Sequence, residues 1–487
     1  MIPDTAETAI VDGASELVAP FEPSATGPLH RVRARISAKL RSADPARMVA
    51  VRDSWRALWS SRLLVWVAGA GTVLVFGFGP VRNAFNPPGI TRGFGWLGNL
   101  LAAPAARWDG AWYLVIAHYG YRPDLGAFTS SRTAFFPLYP LGLSAISHLG
   151  VPPVAAGVLL SIGALALALY GIHRLTTLEL THAGKHQPVG KDQDPARPVE
   201  VARLAVLLTA FAPMAFFFSA VYSESLYLAL SVGVFLCARQ GRWAWVGVLG
   251  ALATATRSTG VVLMAPAVML YLYGPREDRV PDHSTSLLHT RRLRVGARYK
   301  LRRDFLYLGM VPVGLGLYMA YLALSGGDAL WPFHAQDVWG RHFAGPYGGV
   351  WDGVKAAFQG ARQLLSFQRR HVYFPAAGGS PFIDAGHNLM LLVFLLAAIP
   401  AIVGVLRMLP LAYGVYVIAA LALPLSYPVR PQPLMSLPRF LVVLFPLSIW
   451  LAAWLAAHPR VRTPALVLSA LLMALFAAQF ATWHWVA

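Results

Sequence analysis

Long apolar runs separated by short polar stretches dominate this chain and predict a bundle of membrane-spanning helices. The runs lie at residues 63–79, 135–150, 152–173, 201–219, 221–238, 243–256, 258–273, 305–324, 389–406, 409–427, 440–457 and 464–485. A hydrocarbon core of about 30 Å takes about 20 helical residues, although tilt and local thinning permit fewer. The pattern therefore predicts an all-α polytopic membrane protein with about 11 transmembrane helices.

Two regions of this pattern are ambiguous. Residues 135–150 are short enough to form a re-entrant or interfacial helix, and residues 243–273 fit either one long tilted helix or a hairpin. Cytoplasmic flanks of membrane helices collect Lys and Arg. A hairpin at 243–273 keeps the basic stretches 174–203 and 239–242 on the cytoplasmic side, so we predict the hairpin.

The same topology assigns sides to the long polar segments. It places two long loops, residues 80–134 and 325–388, outside the cell and keeps the basic loop at 274–304 in the cytoplasm. Short motifs with polar and aromatic side chains are then brought to one outer face. This concentration of motifs on one face favours an enzyme that acts at the membrane surface over a transporter that works by alternating access.

The chain begins with a segment unlike the rest. Residues 1–27 are polar and lack the composition to bury a core. Residues 30–62 interleave basic and apolar side chains, as in an amphipathic helix on the inner membrane surface. We therefore predict a cytoplasmic tail with a basic amphipathic segment over residues 1–62 and a transmembrane domain over residues 63–487.

Composition excludes several classes of protein. Of the 487 residues, 56% are hydrophobic and 13% are charged, whereas soluble domains have about 25% charged residues. The net charge of +19 would suggest nucleic acid in a soluble protein. Its densest cluster, residues 291–303, lies between apolar runs, where anionic lipid headgroups attract it. We therefore expect the lipid bilayer as a partner and no nucleic acid. The single cysteine, Cys237, permits no intramolecular disulfide.

A carboxylate among aromatic residues marks the first outer loop, where residues 107–113 read RWDGAWY. Trp and Tyr rings stack on sugars while their polar edges stay wet, and Asp109 can stay ionised near the membrane surface. This combination suits a general base acting on a carbohydrate hydroxyl, with Arg107 and Trp108 as binding candidates beside it. An interfacial aromatic belt with one solvated Asp is the alternative.

Charged residues beside apolar runs supply further candidates. Tyr222 and Glu224 lie together at an outer turn and are both candidates for substrate binding. Glu224 is costly there unless it faces a polar cavity or a partner. It could bind sugar hydroxyls, orient the catalytic loop, assist a cation, or start a helix. Arg257 and Arg439 each need an anion, and a phosphate would suit their planar guanidinium groups. A structural ion pair between Arg257 and Glu224 is the alternative.

Taken in order, these motifs resemble a known family. They read RWD at 107–109, FFPLYP at 135–140, YSESL at 222–226, TRSTG at 256–260 and LPRF at 437–440. The succession is similar to GPI mannosyltransferase 2, the PIG-V family, and its bacterial relatives, over roughly residues 63–457. The proline-framed aromatic run at 135–140 could be a rigid platform under the acceptor or an ordinary kinked helix start.

The resemblance implies a GT-C glycosyltransferase, an integral membrane enzyme with a GT-C-like helical bundle. Such an enzyme takes a sugar, mannose in that family, from a polyprenyl-phosphate carrier on the non-cytoplasmic side. The resemblance assigns the base to Asp109, accompanied by Trp108, and loosely matches Gln336 and Trp339 in the second outer loop. We expect an inverting transfer, without a cofactor, to a glycan or glycolipid acceptor at a bacterial plasma membrane.

A transporter or lipid-linked sugar flippase is the alternative function, because it would also have many spans and an apolar groove. Transporters often contain internal repeats, and none is evident in this sequence. A divalent cation between Asp109 and Glu224 stays open. The three histidines of the second outer loop, His334, His342 and His371, are spaced too widely for a ligand signature.

Overall fold

The computed structural model describes most of the predicted membrane domain. It describes residues 44–78, 95–121, 129–185, 196–280, 297–345, 347–374 and 379–486. The chain divides into two units, Met1–Met48 and Val49–Ala487, and the first enters the described residues only at 44–48. The polar tail predicted at 1–27 and residues 291–296 of the basic cluster at 291–303 lie outside the described residues.

Helices form nearly all of the regular structure. The α-helices are α1 Pro45–Phe76, α2 Gly95–Leu101, α3 Gly110–Tyr119, α4 Thr129–Arg132, α5 Leu138–Ser147, α6 Pro153–Lys185, α7 Arg197–Ala210, α8 Glu224–Arg239, α9 Trp243–Thr256, α10 Met264–Tyr273, α11 Val313–Leu324, α12 Trp331–His334, α13 Gly348–Leu365, α14 Pro381–Met408, α15 Leu411–Leu425, α16 Leu437–Val442, α17 Phe445–Ala457 and α18 Pro459–Ala481. Short 3₁₀ helices lie at Ala103–Ala106, Ala215–Ser219, Ser258–Leu263, Arg303–Met310 and Ala335–Trp339. Because the described residues contain no β-strand, the all-α prediction is confirmed.

Within the described residues, four helices are long and apolar enough to cross a membrane: α1, α14, α18 and the Pro153–Thr181 part of α6. A fifth span results if α11 and the 3₁₀ helix before it, which meet at 44°, count as one. Each of the four begins at a proline, whose fixed φ and missing N–H suit the first helical turn. The predicted total of about 11 spans stays a prediction, because several other apolar helices are too short to cross alone.

The apolar run at 201–219 is broken, although its composition predicted one span. Helix α7 ends at Ala210, and a 3₁₀ helix follows at Ala215–Ser219. The fully buried guanidinium of Arg62 donates to the carbonyl oxygens of Ala210 (3.0 Å) and Ala215 (2.7 Å). Carbonyls at a helix end lack partners within the helix, so Arg62 stabilises the break and orders the loop that leads to α8.

Residues 243–273 form a hairpin rather than one long helix. The rings of Trp243 at the start of α9 and Tyr271 near the end of α10 are 4.6 Å apart, so the two ends of the segment meet. The turn follows Arg257, whose backbone is extended with φ −166° and ψ 153°. This geometry holds Arg257 at the turn, away from the end of the hairpin where Trp243 and Tyr271 meet.

The long loops predicted outside the membrane are themselves partly helical. The described parts of 80–134 contain α2, α3 and α4, and those of 325–388 contain α12 and α13. The ten residues of α5 are too few to cross a bilayer. Helix α1 passes through residue 62 without interruption, so the predicted limit of the transmembrane domain falls inside a helix.

Candidate active site

The candidate site is a cavity of about 580 Å³, a size typical of small-molecule sites. Its wall combines side chains from segments that are far apart in the sequence. The predicted residues on this wall are Trp108, Asp109, Arg257, Gln336, Trp339 and Arg439. The remaining predicted residues, Arg107, Tyr222 and Glu224, are buried and are not among those that line the cavity.

Four charged side chains form a network of ion pairs at the cavity wall. Arg439 Nη1 donates to Asp109 Oδ2 at 2.8 Å, and Arg439 Nε lies 3.1 Å from Glu224 Oε1, without hydrogen-bond geometry. Glu224 Oε1 also accepts from Arg257 Nη2 at 3.1 Å. The predicted convergence of Asp109, Arg257 and Arg439 is therefore present, and so is the alternative ion pair between Arg257 and Glu224.

Burial explains why Glu224 needs two cations. Its side chain is only 1% exposed, and Oε2 has no hydrogen-bond partner among the described residues. An isolated buried carboxylate costs several kcal/mol unless it is paired. Burial lowers the pKa of Arg439, but Glu224 and Asp109 more than offset this and raise it above its ordinary value. Arg439 is therefore a permanent cation between two carboxylates.

A turn with left-handed backbone presents Asp109 to the cavity. Trp108 has a φ of 53°, which is rare for a bulky residue. The buried hydroxyl of Tyr222 donates to the carbonyl of Arg107 at 3.1 Å and accepts from the N–H of Asp109 at 3.0 Å. One side chain thus holds both sides of the turn. We therefore interpret Tyr222, which the sequence suggested as a ligand-binding residue, as a residue that positions Asp109.

The C-terminal segment covers one side of the site. Arg107 Nε donates to the Ala481 carbonyl at 3.3 Å, and its guanidinium lies 4.5 Å from the ring centroid of Trp483. The Trp108 ring packs edge-on against Trp483 at 5.8 Å and Trp485 at 5.4 Å. Arg107 therefore fastens this segment to the loop of Asp109, and Trp485 contributes directly to the cavity wall.

Aromatic rings from separate segments of the chain meet at the cavity. Trp112 and Phe135 stack with ring centroids 5.7 Å apart and planes at 17°. Trp339 meets both rings edge-on, at 6.3 Å and 5.9 Å. Phe135 and Trp339 line the cavity together with Gln336, and flat apolar surfaces of this kind suit sugar rings.

Among the lining residues that the sequence did not suggest are Arg341 and Trp485. Arg341 follows Trp339 by two residues, so an arginine beside aromatic side chains was the signal that could have suggested it. Trp485 lies beyond the motifs that carry the family resemblance, so only its aromatic character could have suggested it. Among the described residues, no group of three or more His, Cys, Asp or Glu side chains could hold a metal ion.

These features indicate a membrane protein with a charged cavity. Residues 84–273 match the family model described as Mannosyltransferase (PIG-V). The match confirms the resemblance over these residues and supports a membrane glycosyltransferase of this family. No curated protein and no solved structure matches the chain. Asp109, Glu224 and Arg257 lie within the matched residues, whereas Arg439 and Trp485 lie beyond them.

Proposed function

We propose that the protein is an inverting mannosyltransferase that moves mannose from polyprenyl-phosphate-mannose to a lipid-linked or cell-envelope acceptor. Transfer takes place on the extracytoplasmic side of a bacterial plasma membrane. The observation that carries this proposal is the meeting of Asp109 with Arg257 and Arg439 at one cavity. A proton acceptor beside fixed cations is what sugar transfer from a lipid phosphate requires.

Asp109 acts as the general base in this proposal. Arg439 holds Oδ2, and the side chain is 17% exposed, so Oδ1 is left to face an acceptor. As the acceptor hydroxyl oxygen bonds to the anomeric carbon, its proton passes to Asp109. The bond from that carbon to the phosphate oxygen breaks on the opposite face, and its electron pair leaves with the lipid phosphate. The anomeric configuration therefore inverts.

The leaving group needs no proton donor, because lipid phosphate is already a stabilised anion. Its charge grows as the glycosidic bond breaks, and fixed guanidinium groups are well suited to stabilise that growth. Arg257 and Arg439 supply positive charge at the wall, although each is also paired with a carboxylate. The two arginines therefore also keep Glu224 and Asp109 ionised.

The apolar part of the cavity supports a donor that carries a lipid. Val261, Leu315 and Phe333 line the cavity. Val261 and Phe333 are also partly exposed, at 37% and 45%. A polyprenyl chain buried against such surface would gain about 25 cal/mol for each Å² removed from water. The aromatic rings and the charges then remain for the sugar and phosphate.

The test is transfer of radiolabelled mannose from polyprenyl-phosphate-mannose by the purified protein in detergent, with an extract of cell-envelope glycolipids as acceptor. We expect covalent label in the acceptor and a loss of about a hundredfold or more in Asp109→Asn, since general bases contribute about that much. Asp352→Asn is the matched control, because Asp352 forms a helical ion pair with Lys355, at 2.6 Å, and does not line the cavity.

Two results would contradict the proposal. Equal transfer by Asp109→Asn and the parent protein would remove Asp109 as the base. Movement of labelled donor across proteoliposomes by the parent protein, with no covalent transfer, would favour the flippase alternative.

A further inference from the structure

The guanidinium groups on the cavity wall differ in what balances their charge. Arg439 is paired with Asp109 at 2.8 Å, and Arg257 is paired with Glu224 at 3.1 Å. Arg341 lines the same cavity, but within the described part of the chain no carboxylate comes within ion-pair distance of it. Its positive charge is therefore available to a ligand.

The contacts of Arg341 leave most of its hydrogen-bonding capacity unused. Its Nη1 donates to the carbonyl of Tyr427 at 3.1 Å, which occupies one of five N–H donors. Asp337 lines the cavity without pairing with it. Burial and the nearby positive charge of Arg439 lower the pKa of Arg341 to about 10, and Asp109 opposes the shift. A bound anion would compensate this half-buried charge.

The backbone holds Arg341 in a defined place. Arg341 forms an isolated antiparallel bridge with Val429, and the N–H of Ala344 donates to the Ser426 carbonyl at 2.9 Å. Gly340, with φ 67°, supplies the left-handed turn that comes directly before. The loop is thus fixed to the segment that follows α15, so the guanidinium group needs little ordering when a ligand arrives.

We propose that Arg341 binds the phosphate of the lipid-linked donor through two of its N–H groups. This inference rests on the proposed function and assigns a division of roles within it. Arg257 and Arg439 hold the carboxylates and add positive charge at the wall, and Arg341 contacts the phosphate directly. The planar fork of arginine matches two phosphate oxygens. An acceptor lipid could also carry a phosphate, so the experiment separates the two sources.

The test compares polyprenyl phosphate with polyprenol of the same chain length as ligands of the full-length protein in detergent. The parent protein should prefer the phosphate, and Arg341→Gln should reduce that preference by about tenfold or more, as expected for hydrogen bonds to a charged group. Arg341→Lys keeps the charge without the fork and should lose less. Arg369→Gln, an exposed arginine that does not line the cavity, should behave as the parent.

Steady-state kinetics distinguish the source of the phosphate. Arg341→Gln should raise KM for polyprenyl-phosphate-mannose and leave KM for the acceptor unchanged. The inference is overturned if either Arg341 variant keeps the full phosphate preference, or if only the KM for the acceptor rises. If the parent protein neither prefers polyprenyl phosphate nor transfers mannose, the proposed function itself fails.

Discussion

At the scale of single residues, Asp109 depends on two different kinds of neighbour. Arg439 fixes one carboxylate oxygen by charge, and Tyr222 fixes the backbone on both sides of Trp108. Left-handed backbone at a bulky residue costs about 1–3 kcal/mol and persists only where its surroundings enforce it. The hydroxyl of Tyr222 is the clearest such constraint at this turn.

We expect Tyr222→Phe to lower kcat for mannose transfer by about tenfold or more, because Asp109 is then less well oriented. The free energy of unfolding should fall by about 1–3 kcal/mol, since the Asp109 N–H loses its partner and the Arg107 carbonyl loses one of its two donors. Chemical denaturation and transfer assays measure the two effects. Tyr119→Phe is the control, because Tyr119 lies at the end of α3 and is 41% exposed. An unchanged kcat in Tyr222→Phe would contradict the positioning role.

The sequence indicates which charged residues belong to the candidate site, but it does not indicate which of them pair. Asp109, Glu224, Arg257 and Arg439 stood out because a charge beside an apolar run needs a physical reason. Which carboxylate meets which guanidinium depends on packing between distant segments, so the ion-pair alternative for Arg257 could be stated but not decided. The position of Arg341 depends on a loop, which no hydrophobic periodicity specifies.

At the scale of elements, the hairpin of α9 and α10 decides where Arg257 lies. The 3₁₀ helix after the turn passes so close to α9 that a Cβ on Gly260 would lie 2.4 Å from the carbonyl of Ala253. Real Cβ contacts are never this short, so the close approach requires glycine. The geometry of the turn therefore depends on a residue without a side chain at position 260.

Gly260→Ala should lower the free energy of unfolding by about 1–3 kcal/mol, because overpacking forces backbone shifts. Transfer activity should also fall, since Arg257 moves with the turn. Gly163→Ala is the control, because a Cβ at Gly163 in α6 meets nothing within 4 Å and alanine is favoured within helices by about 1 kcal/mol. Thermal unfolding in detergent compares the two variants. Similar unfolding temperatures for the two variants would mean that the close approach of Gly260 to Ala253 is not needed.

The boundaries of helices could be predicted only where a long apolar run determines the helix. Long apolar runs became the long helices α1, α6, α14 and α18, and their initial prolines agree with the known preference for the first turn. The run at 201–219 breaks because Arg62, far away in the sequence, satisfies carbonyls at the break. Local composition carries no information about such a partner.

At the scale of the whole molecule, the site is built from both ends of the membrane domain. The loop of Asp109 lies near the start, and Trp485 lies at the end, beyond α18. Trp108 packs against Trp485 with ring centroids 5.4 Å apart. The C-terminal segment thus contributes to the wall of the candidate active site.

Trp485→Ala should therefore reduce mannose transfer, because Trp108 and the turn of Asp109 lose a supporting ring. The free energy of unfolding should fall by about 1 kcal/mol, the scale of one aromatic pair. Trp454→Ala in α17 is the control, since that ring stacks on His458 and does not line the cavity. Transfer rates and thermal unfolding of the two variants give the comparison. A larger loss of transfer in the control would contradict this role.

The most direct measurement of the central claim is a cryo-electron microscopy structure of the full-length protein with polyprenyl phosphate bound. The proposed function predicts that the phosphate lies inside the cavity, between Asp109 and the guanidinium groups of the wall, with the lipid chain against Val261 and Leu315. A phosphate bound at another surface, with the cavity unoccupied at saturating ligand, would contradict the assignment of this cavity as the place of sugar transfer.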